Sequence, residues 1–223
     1  MSIEQFIELE QSRRDCYKLM AACFYQPQKE LCLEEKVFEN LDKLLKRVCP
    51  EAAQFTGKIA ASVMQYGDEE LLVEYARLFV GPNELLAPPY GSLYLEEGGR
   101  VMGESTTRVM EFYKAEGLAM DEHFRNLPDH IAAELEFMYY LAYQEVEALE
   151  KNDMEKAAHF LNRQETFLQT FLGPWVAPFS EKIKQGTENG FYQALADCLT
   201  AFITKTNYHD AMPEELKAGL VRT

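Results

Sequence analysis

The chain has 223 residues, 47% hydrophobic and 12% aromatic, with a formal net charge of −15; that is enough apolar material for one large domain or two small, closely packed ones. Such an acid excess excludes a nucleic-acid binder, whose partner phosphates require Lys and Arg, and it favours encounter with a cationic partner. No apolar run approaches the roughly 18 residues of a membrane span, and the opening MSIEQFIELEQSRRD lacks the basic start and apolar block of a signal peptide, so a cytoplasmic protein that is not integral to a membrane is expected.

Almost every segment has helical periodicity. From Ser2 to about Phe24, apolar residues fall at Ile3, Phe6, Ile7, Tyr17, Met20, Cys23 and Phe24. Ser2 with Gln5 forms a capping-box pattern, and Pro27 closes the segment. A second helix carries Val37, Phe38, Leu41, Leu44, Leu45 and Val48 up to Cys49-Pro50, and a third carries Ala52, Phe55, Ile59 and Val63 up to Gly67. Asp68 is placed to cap a fourth, with Leu71, Leu72, Tyr75, Leu78 and Phe79 on its buried side.

That helix runs into GPNELLAPPYGSLYLEEGGRVMG, Gly81 to Gly103, which reads as non-helical. Gly81-Pro82 stops the incoming helix, Pro88-Pro89 removes two backbone donors, and Gly98-Gly99 breaks regular continuation. Structureless connections beyond roughly 12–15 residues are uncommon in compact domains and are usually functional or disordered. Leu85, Leu86, Leu93, Tyr90, Tyr94 and Val101 carry more apolar surface than a solvated linker, which predicts an ordered loop. Its cluster of Pro88, Pro89, Tyr90 and Tyr94 suits a peptide-binding surface, since tyrosine offers area with few rotors and proline fixes the backbone in advance. The competing reading is a loop folded onto its own core.

Beyond the loop, a helix from Ser105 uses Val109, Met110 and Tyr113 and ends at Gly117. Leu118 to Leu127 is a polar connection and the candidate hinge. Pro128 suits the first turn of the longest helix, Asp129 to about Lys151. Asn152-Asp153 turns into a helix with Phe160, Leu161, Phe167 and Phe171, which Gly173-Pro174 is expected to break before a short successor containing Trp175 and Phe179. Thr187 is placed to cap a last long helix, and a short tail helix is expected near Glu214 to Ala218. The fold class is all-α: one helical-bundle domain over 1–223, with an N-terminal part to about 117, a hinge at about 118–127, and a C-terminal part from about 128. Domain exchange through that hinge is conceivable.

Chemistry-bearing patterns are sparse. The five cysteines form no CxxC pair, and Cys16 and Cys23 read as small core residues. None of the four histidines follows a Glu by three residues and HExxH is absent, so no metal site is expected. No phosphate-cradling glycine loop or GxSxG elbow occurs. Asp129-His130 could be imagined as an acid–base pair, but neighbours on a helix point about 100° apart. A structural or binding role fits better, with Asp129 serving the exposed N–H groups of the first turn and His130 bonding the loop or lining a groove.

The run Glu74-Tyr75-Ala76-Arg77-Leu78-Phe79-Val80-Gly81-Pro82, then Ala87-Pro88-Pro89-Tyr90-Gly91-Ser92-Leu93-Tyr94-Leu95, resembles the signature of the TorD/DmsD family of cytoplasmic chaperones for molybdenum-containing redox enzymes. Pro128-Asp129-His130 opening a helix matches a second family element, and Phe167 to Trp175 a third. The resemblance implies a TorD-like helical fold without a catalytic centre. It implies a protein that binds the twin-arginine signal peptide and apo form of a molybdopterin-dependent enzyme of the dimethyl sulfoxide reductase type, delaying export until cofactor insertion. It implies no resident cofactor, although weak guanine-nucleotide binding is associated with some members, and either a monomer or a domain-swapped dimer. The residues matching the family's peptide-binding region are Leu78, Phe79, Gly81, Pro82, Pro88, Pro89, Tyr90, Ser92, Tyr94, Gly103, Asp129 and His130, with Asp129 and Glu134 the nearest acidic contacts for the arginines. A NarJ-like chaperone of nitrate reductase assembly is the alternative within the class, and a nucleotide-hydrolysing enzyme centred on Asp129-His130 the alternative outside it.

Overall fold

The computed structural model describes residues 1–81, 85–119, 126–206, 212–214 and 216. Helix α1, Ile3–Ala22, opens on the capping box expected for it: the Ser2 hydroxyl accepts from Gln5 N–H at 3.3 Å, and the Gln5 side chain accepts from Ser2 N–H at 3.1 Å. Helices α2 (Lys29–Glu34), α3 (Val37–Val48), α4 (Pro50–Gln65) and α5 (Asp68–Tyr75) follow, then α6 (Ser92–Leu95), α7 (Glu104–Ala115), α8 (Ile131–Glu150), α9 (Met154–Phe167), α10 (Gly173–Gly186) and α11 (Gly190–Lys205). No strand occurs among the described residues; an isolated bridge joins Tyr90 to His130. The all-α expectation holds.

The pairs α1–α8, α8–α9, α4–α11, α10–α11, α1–α3 and α3–α4 pack together. Two of these, α1–α8 and α4–α11, join the N-terminal part to the C-terminal one, and a single core cluster runs through both. At its centre, Phe179 lies 5.8 Å from Phe24, 6.0 Å from Phe79 and 5.3 Å from Trp175, ring centre to ring centre. Burying each such ring stabilises the fold by about 1.5–3 kcal/mol before entropy is counted. A smaller apolar cluster gathers Phe6, Leu149, Leu161 and Leu216.

Several boundaries differ from the sequence reading. Helix α2 was hidden by its brevity and by the lack of any fully buried residue on it. Helix α5 is capped at Gly67, whose N–H donates to the Glu70 carboxylate at 2.7 Å, so Asp68 lies inside the first turn. The loop expected to be wholly non-helical contains the single turn α6. The cap of α11 is Asn189, which accepts from Phe191 N–H at 3.0 Å, and Thr187 instead supports Asn189 N–H at 2.9 Å.

Gly173-Pro174 does not break the chain. Residues Leu168–Leu172 widen into a π turn, with Gly173 N–H reaching back to the Leu168 carbonyl, and α10 continues directly. A proline lacks its own N–H and crowds the carbonyl four residues earlier in a tight α-helix; widening the turn accommodates both. A second π turn, Ala76–Val80, ends α5, and Gly81 N–H closes it on Ala76 O at 2.8 Å. Of the candidate hinge, residues 120–125 lie outside the described residues, as does most of the expected tail helix, of which Glu214 and Leu216 are helical.

Candidate functional site

The loop and the start of α8 are joined by a short antiparallel clasp. Ile131 N–H donates to Pro89 O at 2.9 Å, and Gly91 N–H donates to Asp129 O at 2.9 Å, on either side of the Tyr90–His130 bridge. The prolines explain this geometry: without N–H groups and biased to extended backbone, Pro88 and Pro89 present carbonyls only. Pro89 O takes Ile131 N–H, and Pro88 O accepts the Tyr94 hydroxyl at 2.9 Å.

Asp129 lies just before α8 and is buried. Its Oδ2 accepts from Ser92 N–H at 2.8 Å, capping the turn α6 within the loop; such a cap contributes about 1 kcal/mol. The expectation that Asp129 serves the first turn of its own helix is thereby corrected. That task falls to His130, the cap of α8, whose Nδ1 accepts from Ala132 N–H at 3.1 Å, leaving Nε2 as the protonated nitrogen of the neutral ring. Burial holds the His130 pKa down at about 4, so the ring is uncharged at neutral pH. Asp129 and His130 therefore turn to different partners, and the imagined acid–base pair is not formed.

Glu134 lies one turn further along α8, fully buried. Its Oε2 accepts from the Trp175 indole N–H at 3.0 Å. Burial drives its pKa well above the usual carboxylate range; the indole bond opposes this and the nearby Asp129 charge reinforces it. Glu134 is an inward-facing acid that burial biases toward its protonated form, and the structure does not present it at the surface as the expected contact for a peptide arginine. The Trp175 ring also stacks on Tyr94, with centres 5.6 Å apart, and a Cβ on Gly91 would sit 2.9 Å from its indole nitrogen. Only glycine lets the clasp approach the indole this closely. Tyr113 closes the far side by donating to Pro128 O at 2.9 Å.

The residues singled out from sequence thus converge, mostly as scaffold. Leu78, Phe79, Pro88, Pro89, Ser92, Asp129, His130 and Glu134 are buried. Gly81, Tyr90, Tyr94 and Gly103 are half-buried, and Pro82 lies outside the described residues. Tyr90 packs edge-on against His130 at 5.4 Å. Gly103 leaves room for the Glu96 carboxylate, which accepts from Ser105 N–H at 2.7 Å and so supports the start of α7. Close by in sequence, Val80 and Leu86 are exposed apolar residues. Sequence reasoning missed Trp175 and Gly91 as site residues; the one tryptophan of the chain was the available signal.

Residues 39–181 match the family model described as "Nitrate reductase delta subunit". The chain is 34% identical over 134 residues to a Vibrio parahaemolyticus protein named chaperone protein TorD, the match covering 60% of each chain. It is 30% identical over 139 residues to a Haemophilus influenzae protein named as a Tat proofreading chaperone, DmsD, covering 62% of this chain and 61% of the other. These matches span less than two thirds of the relatives' own length. The fold is similar to the crystal structure of a redox enzyme maturation protein from Archaeoglobus fulgidus, with a TM-score of 0.54 at 23% identity, over 86% of this chain and 93% of that one.

Proposed function

The chain belongs to the nitrate reductase delta subunit family, with the TorD and DmsD chaperones among its relatives, and from that premise we propose that it is a cytoplasmic maturation chaperone, not an enzyme. In this reading it binds the twin-arginine signal peptide and apo form of a molybdopterin-dependent oxidoreductase of the dimethyl sulfoxide reductase type and delays export until the cofactor is in place. The observation that carries the reading is the clasp between the loop and α8. It holds a half-buried Tyr90 and Tyr94 on a backbone fixed by prolines and hydrogen bonds, and the same stretch of chain carries the exposed Val80 and Leu86. A surface ordered in advance loses little entropy on binding. The net charge of −15 favours encounter with an arginine-bearing peptide.

The family description itself supports a second reading, a NarJ-like assembly chaperone for a nitrate reductase that is not exported. Calorimetric titration tests both. A twin-arginine signal peptide from a molybdoenzyme encoded beside this protein should bind, and Tyr90→Ala should weaken it about tenfold with helicity unchanged, as for an aromatic anchor residue. Lack of binding by every neighbouring twin-arginine peptide would sink the leading reading, and binding of a nitrate reductase N-terminus without the arginine pair would favour the second.

A further inference from the structure

On another part of the surface, α1, α2 and α3 enclose a groove of about 730 Å³, within the size range of ligand sites. Its floor is Leu19, Ala22, Leu31, Cys32, Val37 and Leu44. Leu31 is 48% exposed, on a six-residue helix none of whose residues is fully buried. Helices α1 and α3 run antiparallel, since Arg47 near the end of α3 pairs with Glu8 near the start of α1 at 2.6 Å. The α1 wall extends from Asp15 to Ala22, about 10 Å at the helical rise per residue, which is room for about three extended residues, and Tyr25 lines the groove just past the helix end.

The two ends differ in charge. At the Tyr25 end, the Tyr25 hydroxyl donates to the Glu136 carboxylate of α8 at 2.8 Å. Glu136 is exposed, and Glu35 lines the groove where α2 passes into α3. Neither carboxylate has a cationic partner among the described residues. Glu30, Glu34 and Asp68 line the adjoining hollow, whose one lysine, Lys29, is turned to the Tyr66 carbonyl at 2.7 Å. Lys18 and Lys43 stand toward the other end with Asp15, which is paired with Arg14 at 2.8 Å. Beside Tyr25, the Tyr75 hydroxyl donates to the Phe24 carbonyl at 3.5 Å.

We propose that this groove seats the apolar stretch of a bound peptide, with Glu136 and Glu35 receiving the cationic residues that precede it. The proposal rests on the peptide-binding reading above and gives the peptide's arginines a place other than Asp129 and Glu134. Charge complementarity selects this occupant. An anionic lipid surface would be repelled by the acidic end, and a second copy of the chain would bring together two molecules of net charge −15.

The probe is a synthetic peptide with an Arg-Arg pair followed by a leucine-alanine run, compared with its Gln-Gln counterpart by calorimetry. Leu31→Asp should weaken both peptides tenfold or more (about the effect of a charge against an apolar contact). Glu136→Gln should weaken the Arg-Arg peptide roughly fivefold and leave the Gln-Gln peptide unchanged. Both positions are exposed, and unchanged circular dichroism verifies folding. Should wild type bind while both variants bind equally well, the groove is not the seat, although the peptide-binding reading stands. An equal loss for both peptides in Glu136→Gln overturns the charge assignment. Concentration-dependent self-association abolished by Leu31→Asp, with peptide affinity intact, would make the groove a self-interface instead. No binding of either synthetic peptide by wild type overturns this inference, while the reading beneath it stands or falls on the twin-arginine peptides of the neighbouring molybdoenzymes.

Discussion

Glu134→Gln separates a buried, neutral acid from a working carboxylate. Glutamine keeps the acceptor for the Trp175 indole N–H, now made at 3.0 Å. Its amide nitrogen carries two donors where the protonated carboxyl carries one, at the oxygen of Glu134 that has no partner, and the additional unmatched buried donor costs about 1–3 kcal/mol. Against this stands the proton. The unfolded value is 4.5, and burial raises the folded value well above it. Wild-type stability from this group is therefore fully present below pH 4.5 and is lost as pH rises toward the folded pKa. The loss is about 1.4 kcal/mol per pH unit while the folded state alone holds the proton. The glutamine variant carries no such dependence at this site. It should be less stable than wild type near pH 4.5, draw level about one pH unit higher if the donor penalty is near 1.4 kcal/mol, and exceed it beyond. Urea unfolding at intervals between pH 4.5 and 8 reads the difference directly. A difference that does not change with pH would refute the protonated assignment, and loss of peptide affinity on this substitution would restore Glu134 as an arginine contact.

Two further outcomes follow from packing and charge. Gly91→Ala should destabilise the protein by about 1–3 kcal/mol through overpacking, since the backbone at Gly91 is already helical and the only conflict is with Trp175. Gly57→Ala, mid-helix with nothing within 4 Å of the new methyl, should instead stabilise by about 0.5–1 kcal/mol; urea midpoints check both, and equal effects would contradict the steric argument. Arg13 and Glu10 are both buried and paired at 2.9 Å beside Glu145. Arg13→Met should cost about 3–5 kcal/mol by stranding the acid, while Arg13→Met with Glu10→Met should recover most of it. A single substitution costing under about 1 kcal/mol would show that the pair is not isolated from water.

The helical stripes were legible because burial on one face imposes its period directly, and the capping of α1 because it depends on two nearby residues. The convergence of Pro89-Tyr90-Gly91 with Asp129-His130 was also foreseen, from the length and apolar content of the loop and from the family motifs. What sequence could not tell was direction. Tyrosines, prolines and acids in a loop suit an outward surface and an inward scaffold equally, and here Pro88, Pro89, Ser92, Asp129, His130 and Glu134 turned inward. Nor could it tell that Pro174 would be absorbed by a widened turn, because Gly-Pro reads equally well as a helix break and as the first turn of the next helix. The α1–α3 groove left no local mark, being made by three segments whose exposed apolar residues are individually unremarkable.

The clasp at Pro89-Tyr90-Gly91 and Asp129-His130-Ile131 fastens the base of a long excursion of the chain that contains α6 and α7. For a flexible segment, closure entropy grows only with the logarithm of length, about 0.6 kcal/mol for each doubling. Residues inserted or removed far from the base should therefore leave Tyr90 and His130 in register, provided that Tyr113 still meets Pro128. The excursion is thus a compartment in which length can drift while the face beside it keeps its shape.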